Sequence, residues 1–443
     1  MEVIFENIVI YGLVFFLIAV ILYFYFSLQK KQTEITKKKI EKAKEYGFIE
    51  PVSLHPVINE DICIGSGACV TACPEKDILG LVDGKGKLVN ASHCVGHGAC
   101  FHACPVEAIT LVMGTEKRGV ELPHVSQEYQ TNIKGVYIAG ELGGMGLIKN
   151  AVDQGKMAMN NIINSLPKIK KAEYDVIIIG AGPAGISATL TAAKNNIKFL
   201  TIEQDSLGGT VFSFPRTKIV MTSPVDLPLY GKVKLVETSK PELLSLWMEI
   251  LEKNRISINE NEKVLEITKE EDFFEVVTNN AEYTCSKVLL AIGRRGSPRK
   301  LGIPGEDKEK VFYRLLEPEL INNKNILVVG GGDSAIEAAL LLSERGTNQV
   351  TLSYRSDSFK RAKPKNLEKI INAKNENRIS VIYNSTLKRI EDKEIELEVA
   401  KEKTIKLTND FVYIFAGGEL PNKFLEKIGI KISKKFGETV LKH

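Results

Sequence analysis

Tyr174-Asp-Val-Ile-Ile-Ile179 runs directly into Gly180-Ala-Gly182-Pro-Ala-Gly185, and a helical pattern then continues through Ala193. A second apolar run, Phe199 to Ile202, ends in Glu203, 23 residues after Gly180. Read as strand, tight turn, helix and strand, the glycines let a pyrophosphate approach a helix N-terminus, and the acid accepts a ribose hydroxyl. A lone glycine pattern carries little weight. With strand, helix and acid all in place, it reads as a dinucleotide loop.

A second copy lies further along. Asn325-Ile-Leu-Val-Val329 leads into Gly330-Gly-Gly332-Asp-Ser334-Ala335 and a helix over Ile336 to Leu342. The same offset of 23 falls on Ser353, followed by Tyr354-Arg355-Ser-Asp-Ser-Phe-Lys360-Arg361. No acid stands there to repel a 2′-phosphate, and three cations are at hand. This loop is therefore expected to take NADP(H) ahead of NAD(H), held by Gly330, Gly332, Ser334, Ala335, Arg355, Lys360 and Arg361.

Two such domains in one chain resemble the thioredoxin-reductase-type flavoproteins of the pyridine nucleotide-disulfide oxidoreductase superfamily. Val288-Leu-Leu-Ala-Ile-Gly293, Pro298-Arg-Lys-Leu-Gly-Ile-Pro-Gly305 and Phe411-Val-Tyr-Ile-Phe-Ala-Gly-Gly418 extend the resemblance over about residues 172–443. It implies FAD on the first loop, held by Gly180, Gly182, Gly185 and Glu203, and the nicotinamide on the second. Leu207-Gly208-Gly209-Thr210 sits where the family places a flavin-contacting glycine pair. The family also carries a redox dithiol shortly before the second loop. Here Val311-Phe-Tyr-Arg-Leu-Leu316 has no Cys, and Cys285 reads as a small buried apolar residue on a strand. Disulfide reduction by the family route is not expected.

In that family a strand, turn and helix after the last nicotinamide-domain strand close the flavin site. Here the chain stops at His443, where that piece should begin, and a matching segment lies upstream. Gly135-Val-Tyr-Ile-Ala-Gly140-Glu141-Leu-Gly-Gly144, with a helix from Gly146 to Ile163, is similar to the family's AAGD loop, Glu141 replacing Asp. The expectation is a circularly permuted flavin domain with Gly140 and Glu141 at the flavin. The alternative is an independent hairpin and helix.

Upstream again, Cys63-Ile-Gly-Ser66-Gly-Ala-Cys69-Val-Thr-Ala-Cys73-Pro74 recurs 31 residues later as Cys94-Val-Gly-His97-Gly-Ala-Cys100-Phe-His-Ala-Cys104-Pro105. The doubled spacing resembles the bacterial two-cluster ferredoxins, C-x2-C-x2-C-x3-C-P, with the second Cys of each run replaced. In those proteins the fourth Cys serves the other cluster. Carried over, Cys63, Cys69 and Cys104 hold one cluster, and Cys94, Cys100 and Cys73 the other. Ser66 either ligates weakly through oxygen or leaves its corner empty, giving 3Fe-4S in place of 4Fe-4S. His97 either offers a neutral imidazole nitrogen or stands beside the cluster.

At the N-terminal end, Ile8 to Leu28 is uncharged and long enough to span a bilayer, and Lys30, Lys31, Lys37, Lys38, Lys39, Lys42 and Lys44 follow it. A cleaved leader fits poorly, because Glu2 and Glu6 precede the run and no small-residue cleavage site ends it. The lysines place the main body on the cytoplasmic face of the cell membrane, anchored by a single pass.

The chain has 443 residues, 44% hydrophobic and 26% charged, with a formal charge of +4. That length predicts about three folding units, and the mild charge argues against a nucleic-acid binder.

The fold class expected is α/β. It comprises two Rossmann-like dinucleotide-binding domains, an α+β ferredoxin-like iron–sulfur domain and one N-terminal transmembrane helix. The expected division is 1–29 anchor, 30–54 basic linker, 55–113 iron–sulfur domain, 114–166 displaced flavin piece, 167–300 FAD domain, 301–418 NAD(P) domain and 419–443 return segment to the FAD domain. The Pro-punctuated stretch 214–231 either packs over the flavin or is a plain loop.

The function expected is electron transfer between NAD(P)H, FAD and two iron–sulfur clusters, to or from a redox partner protein or membrane carrier. The oligomeric state, a homodimer included, is left open, and no side chain is expected to serve as catalytic acid or base. Two other readings compete: reduction of a small substrate at the flavin, and a redox sensor or assembly subunit without turnover.

Overall fold

The apolar run and the lysines after it belong to one helix. The computed structural model describes every residue except 1, 46–47, 52–53, 76, 95, 97, 118, 145, 170, 213–218, 222–223, 234–236, 295–297, 360–361 and 442–443. In it α1 spans Glu2–Glu45 without interruption. Its most apolar window has a mean hydropathy of 2.3 and no buried share, so the helix is long and apolar enough to cross a bilayer.

The basic half of α1, within the linker expected over 30–54, packs on the first cysteine-bearing unit. Thr33, Thr36 and Ala43 recur at helical spacing and are buried. Their small side chains let the helix settle on the strand Leu79–Val82, where a Cβ added to Gly80 would stand 2.5 Å from Thr36 Cγ2. Lys37 and Lys39 pair with Asp83 and Asp77 at 3.0 Å each.

The chain divides into two units, residues 1–120 with 435–443, and residues 121–434. In the first, Leu54–Ile58, Ile109–Met113 and Glu438–Leu441 form an antiparallel sheet in that order, with a hairpin of Leu79–Val82 and Lys85–Leu88 beside it. Leu54, Ile109, Leu111 and Met113 are almost fully buried in its core. Two single-turn helices, α2 (Ala68–Ala72) and α3 (Ala99–Ala103), follow the two cysteine loops. The return segment 419–443 divides between the units. Leu425 and Ile430 join the core around Ile177 and Val288, whereas Glu438–Leu441 completes the sheet of the first unit.

In the second unit, Tyr174–Ile179 lies between the parallel strands Phe199–Ile202 and Glu282–Leu290. The far edge of Glu282–Leu290 is shared. Its first half pairs antiparallel with Phe274–Thr278, and its last residues pair parallel with Val136–Ile138, Val288 opposite Val136 and Leu290 opposite Ile138. Helix α4 (Ile148–Asn164) packs on α5 (Pro183–Lys194), with Ser187 Oγ donating to Val152 O at 2.7 Å. Helix α6 (Lys240–Lys253) begins in a capping box of Ser239 and Glu242 and buries Trp247.

The other sheet of this unit is parallel, in the order Val311–Phe312, Phe411–Ile414, Asn325–Val329, Gln349–Ser353 and Ile379–Ile382. Helix α7 (Asp333–Ser343) leaves its second glycine loop. Of the stretch 214–231, residues 214–218 and 222–223 lie outside the described residues. Val225–Leu227 forms a hairpin with Gly231–Val233.

Candidate functional site

In the first unit the glycines set the cysteine loops. Gly67 and Gly98 hold φ of +73° and +74° at the starts of α2 and α3, a region closed to most L-residues. Cys63, Cys69 and Cys104 line one cavity together with Ser66, Ile64, Leu81 and Val106. Gly86 N–H points at Cys63 Sγ (3.4 Å) and Ala108 N–H at Cys104 Sγ (3.2 Å), the amide–sulfur contacts that tune such centres. Burial pushes the Cys69 thiol up, opposed by the Val70 amide and reinforced by charge on Cys63 and Cys104.

The second trio is deeper. Burial pushes Cys100 up to about 12, with the charges of Cys94 and Cys73 adding to it. Burial likewise pushes Cys94 up to about 11, with Cys73 adding and the Gly96 amide opposing. Such thiolates persist at neutral pH only beside a cation. Among the described residues no three His, Cys, Asp or Glu side chains converge as ligands of a single ion do. The doubled cysteine spacing is that of a polynuclear iron–sulfur centre. His97 lies outside the described residues.

In the second unit the first glycine loop is built as the pattern demands. A Cβ on Gly180 would stand 2.6 Å from Ala291 O, and one on Gly185 would stand 1.8 Å from Gly180 O. Gly182, by contrast, faces open space at the start of α5, leaving room for a pyrophosphate. Glu203 is buried. Its carboxylate accepts Ala181 N–H at 2.8 Å and Asp205 N–H at 3.0 Å, while burial raises its pKa.

Gly208 N–H donates to Ala181 O at 2.9 Å. A Cβ on Gly209 would lie 3.5 Å from Gly182 Cα, which brings the 207–210 turn, Thr210 included, beside the loop. Gly140 also comes close, since its Cβ would stand 3.0 Å from Ala184 Cβ, and Glu141 follows it in a short 3-10 turn. These residues fit a flavin dinucleotide: an open glycine turn, a helix N-terminus and a buried acid converge.

At the second loop, Gly330 is closed in by Phe415 O and Ala335, and Gly332 is open. Ser353 is buried and shares a 2.7 Å hydrogen bond with Ser385, so it is turned away from a ligand. Arg355 and Ser334 are exposed, and Lys360 and Arg361 lie outside the described residues.

The sequence reading missed three residues here. Tyr354 lies across the loop, where a Cβ on Gly331 would meet its ring at 2.2 Å. Asp333 accepts from Lys363 N–H and Asn366 Nδ2, both at 2.8 Å. Arg314, within the stretch that lacks a dithiol, pairs with Asp205 at 2.6 Å. Only the glycine between Gly330 and Gly332 hinted at the first of these.

The profile of the pyridine nucleotide-disulphide oxidoreductase family matches residues 177–442, and that of the 4Fe-4S dicluster domain matches residues 55–105. Bacilliredoxin reductase Bdr of Bacillus subtilis (strain 168) is 30% identical over 266 residues, 59% of this chain and 82% of that protein. A ferredoxin–NADP reductase of Ignicoccus hospitalis is 30% identical over 269 residues, 59% of this chain and 83% of that protein. Among solved structures, bacillithiol disulfide reductase Bdr of Staphylococcus aureus superposes with a TM-score of 0.50 at 26% identity, covering 59% of this chain and 81% of that one.

Proposed function

Because this chain belongs to the pyridine nucleotide-disulphide oxidoreductase family, as a flavin-dependent oxidoreductase fused to a 4Fe-4S dicluster domain, we propose that it moves electrons between NADP(H) and its own iron–sulfur centres. On this reading it is a single-pass membrane protein, with its body on the cytoplasmic face and two clusters leading to or from a redox partner. The relatives named ferredoxin–NADP reductases suggest the same chemistry, with the ferredoxin-like module here within the chain.

The observation that carries the reading is where the cysteines stand. Six of the seven belong to the iron–sulfur unit, and Cys285, in the other, is fully buried with its thiol pushed up to about 12 by burial. No dithiol serves a disulfide substrate at Val311–Leu316. Electrons then have the clusters as outlet. Bound flavin supplies the conversion between a two-electron hydride and single electrons.

The chain's own residues do the positioning. The Gly182 turn and the start of α5 hold the pyrophosphate, and Glu203 accepts a ribose hydroxyl. The loop at Gly140 and Glu141 closes over the isoalloxazine end, the displaced piece of a permuted domain. Its support is the strand Val136–Ile138 beside Val288–Leu290 and the approach of Gly140 to Ala184. Arg355 receives the 2′-phosphate. Cys63, Cys69 and Cys104 hold one cluster and Cys73, Cys94 and Cys100 the other. The anchor reading is supported by α1, which passes from its apolar run into buried contacts of the iron–sulfur unit without a break.

The test is an anaerobic titration of the full-length protein with NADPH, followed by visible absorbance and EPR. Bleaching of the flavin followed by cluster signals is expected. A flavin left oxidised, or clusters that never accept electrons from it, overturns the reading.

A further inference from the structure

We propose that the cluster held by Cys63, Cys69 and Cys104 is the membrane-side electron port of this protein, docking a redox protein embedded in the same bilayer. The inference rests on the iron–sulfur and anchor readings above and goes beyond them by ordering the two centres.

The order comes from α1, which acts as a ruler. Thr33 lies five residues beyond Leu28, the last residue of the apolar run, or about 7.5 Å along the axis at ~1.5 Å per residue. At that height Asp83 N–H donates to Thr33 Oγ1 at 3.0 Å. The same hairpin turn abuts the first cysteine loop, since a Cβ on Gly65 would stand 2.1 Å from Gly84 O. Lys85 Nζ donates to Cys63 O at 2.7 Å, and Gly86 N–H reaches Cys63 Sγ.

The second cysteine loop is fastened at the far end of the helix. Phe48 N–H donates to Ala43 O at 2.7 Å, Ser92 N–H donates to Phe48 O at 3.0 Å, and the Phe48 ring lies 4.5 Å from that of His93, the neighbour of Cys94. From Thr33 to Ala43 is roughly 15 Å of helix. One cluster is thus held near the membrane and the other away from it.

Exposure agrees. Cys73, Cys94 and Cys100 are all buried, whereas in the other trio Cys69 is buried and Cys63 and Cys104 are partly open. Beside the open pair stand exposed apolar side chains: Ile64, which borders their cavity, is 65% exposed, and Ile62, next to Cys63 in the chain, is 48% exposed, with Glu60, Asp61 and Glu107 exposed nearby in sequence. Exposed apolar side chains mixed with charges beside a redox centre suit a protein contact.

The height selects the occupant. Headgroups add roughly 5–8 Å on each side of a ~30 Å hydrocarbon layer, so the port stands at or just above them. An integral protein's emergent surface reaches that level, and a ring dissolved in the hydrocarbon does not. Each NAD(P)H oxidised gives NAD(P)+, one proton to solvent and two electrons. These cross the port singly and reduce two one-electron centres of the partner; reversed flow has the same count.

The test places the full-length protein in phosphatidylcholine vesicles with a small fraction of Gd3+-chelate headgroups and reads EPR relaxation of the reduced clusters. Ser66→Cys, which adds a fourth thiolate, marks the signal belonging to Cys63, Cys69 and Cys104. Should that variant not assemble, Lys85→Gln marks it by lowering its midpoint potential. The marked signal is expected to relax several-fold faster with the gadolinium lipid, the other far less. Equal enhancement, or the reverse order, overturns the port. Absence of cluster signals overturns the iron–sulfur reading, and absence of vesicle binding overturns the anchor; either takes the port with it. Long-chain quinone in protein-free vesicles is expected to leave the clusters reduced, whereas native membranes reoxidise them until trypsin treatment. Reoxidation by the quinone alone overturns the protein partner.

Discussion

A Cβ placed on Gly155 would stand 2.1 Å from the carbonyl oxygen of Ala184, so α4 and α5 cross in direct backbone contact. Ala184 is in the first turn of α5, and α4 belongs to the segment proposed as the displaced flavin piece. Gly155→Val is therefore expected to destabilise the second unit by ~1–3 kcal/mol through overpacking and to lower flavin content with it. Thermal unfolding and the flavin-to-protein absorbance ratio report both effects. Full flavin occupancy in a folded Gly155→Val protein would count against the displaced piece.

Gly182 and Gly185 separate binding from folding. Gly182→Ala meets no protein atom, so stability should stay within about 0.5 kcal/mol while FAD binding weakens, because the methyl enters the pyrophosphate space. Gly185→Ala drives into Gly180 O and should lower stability and flavin content together. Calorimetry with flavin release on denaturation distinguishes the two.

Glu203 gives a pH prediction with a defined sign. Burial raises its pKa above the ordinary 4.5, so the folded apoprotein binds the proton more tightly than the unfolded chain. Its stabilising share is present below pH 4.5 and is lost as pH rises through the elevated folded value. Relative to Glu203→Gln, the wild-type apoprotein should lose stability across that window, read by denaturant midpoints at successive pH values. Parallel pH profiles would refute the shift.

Arg355→Leu should raise the Michaelis constant for NADPH by roughly ten- to a hundredfold, the ~1.5–3 kcal/mol of a charged hydrogen bond, and leave that for NADH nearly unchanged. Steady-state oxidation with an artificial acceptor measures both. Equal loss for the two nucleotides would remove the 2′-phosphate role.

The glycine loops and the cysteine repeat were legible because each residue type there answers a local demand. Gly185 must be glycine against Gly180 O, and Glu203 must follow its strand, whatever the rest of the fold does. The segment from Gly135 was recognisable for the same reason.

The docking of α1 was hidden. Thr33, Thr36 and Ala43 form a narrow stripe of small residues among lysines, and such a stripe names no partner until Gly80 is brought to it. The destination of Glu438–Leu441 was equally silent, since alternation in a strand tells which face is buried but not which sheet receives it. Nor does spacing reveal that Tyr354 folds back over Gly331.

The pairing of Glu438–Leu441 with Ile109–Met113 has a consequence for biogenesis. Both glycine loops are translated between these two strands, so the iron–sulfur sheet gains its third strand only after they have been made. Until then the module is a two-stranded sheet with an open edge along Ile109–Met113, the slow, long-range pairing on which its closure waits.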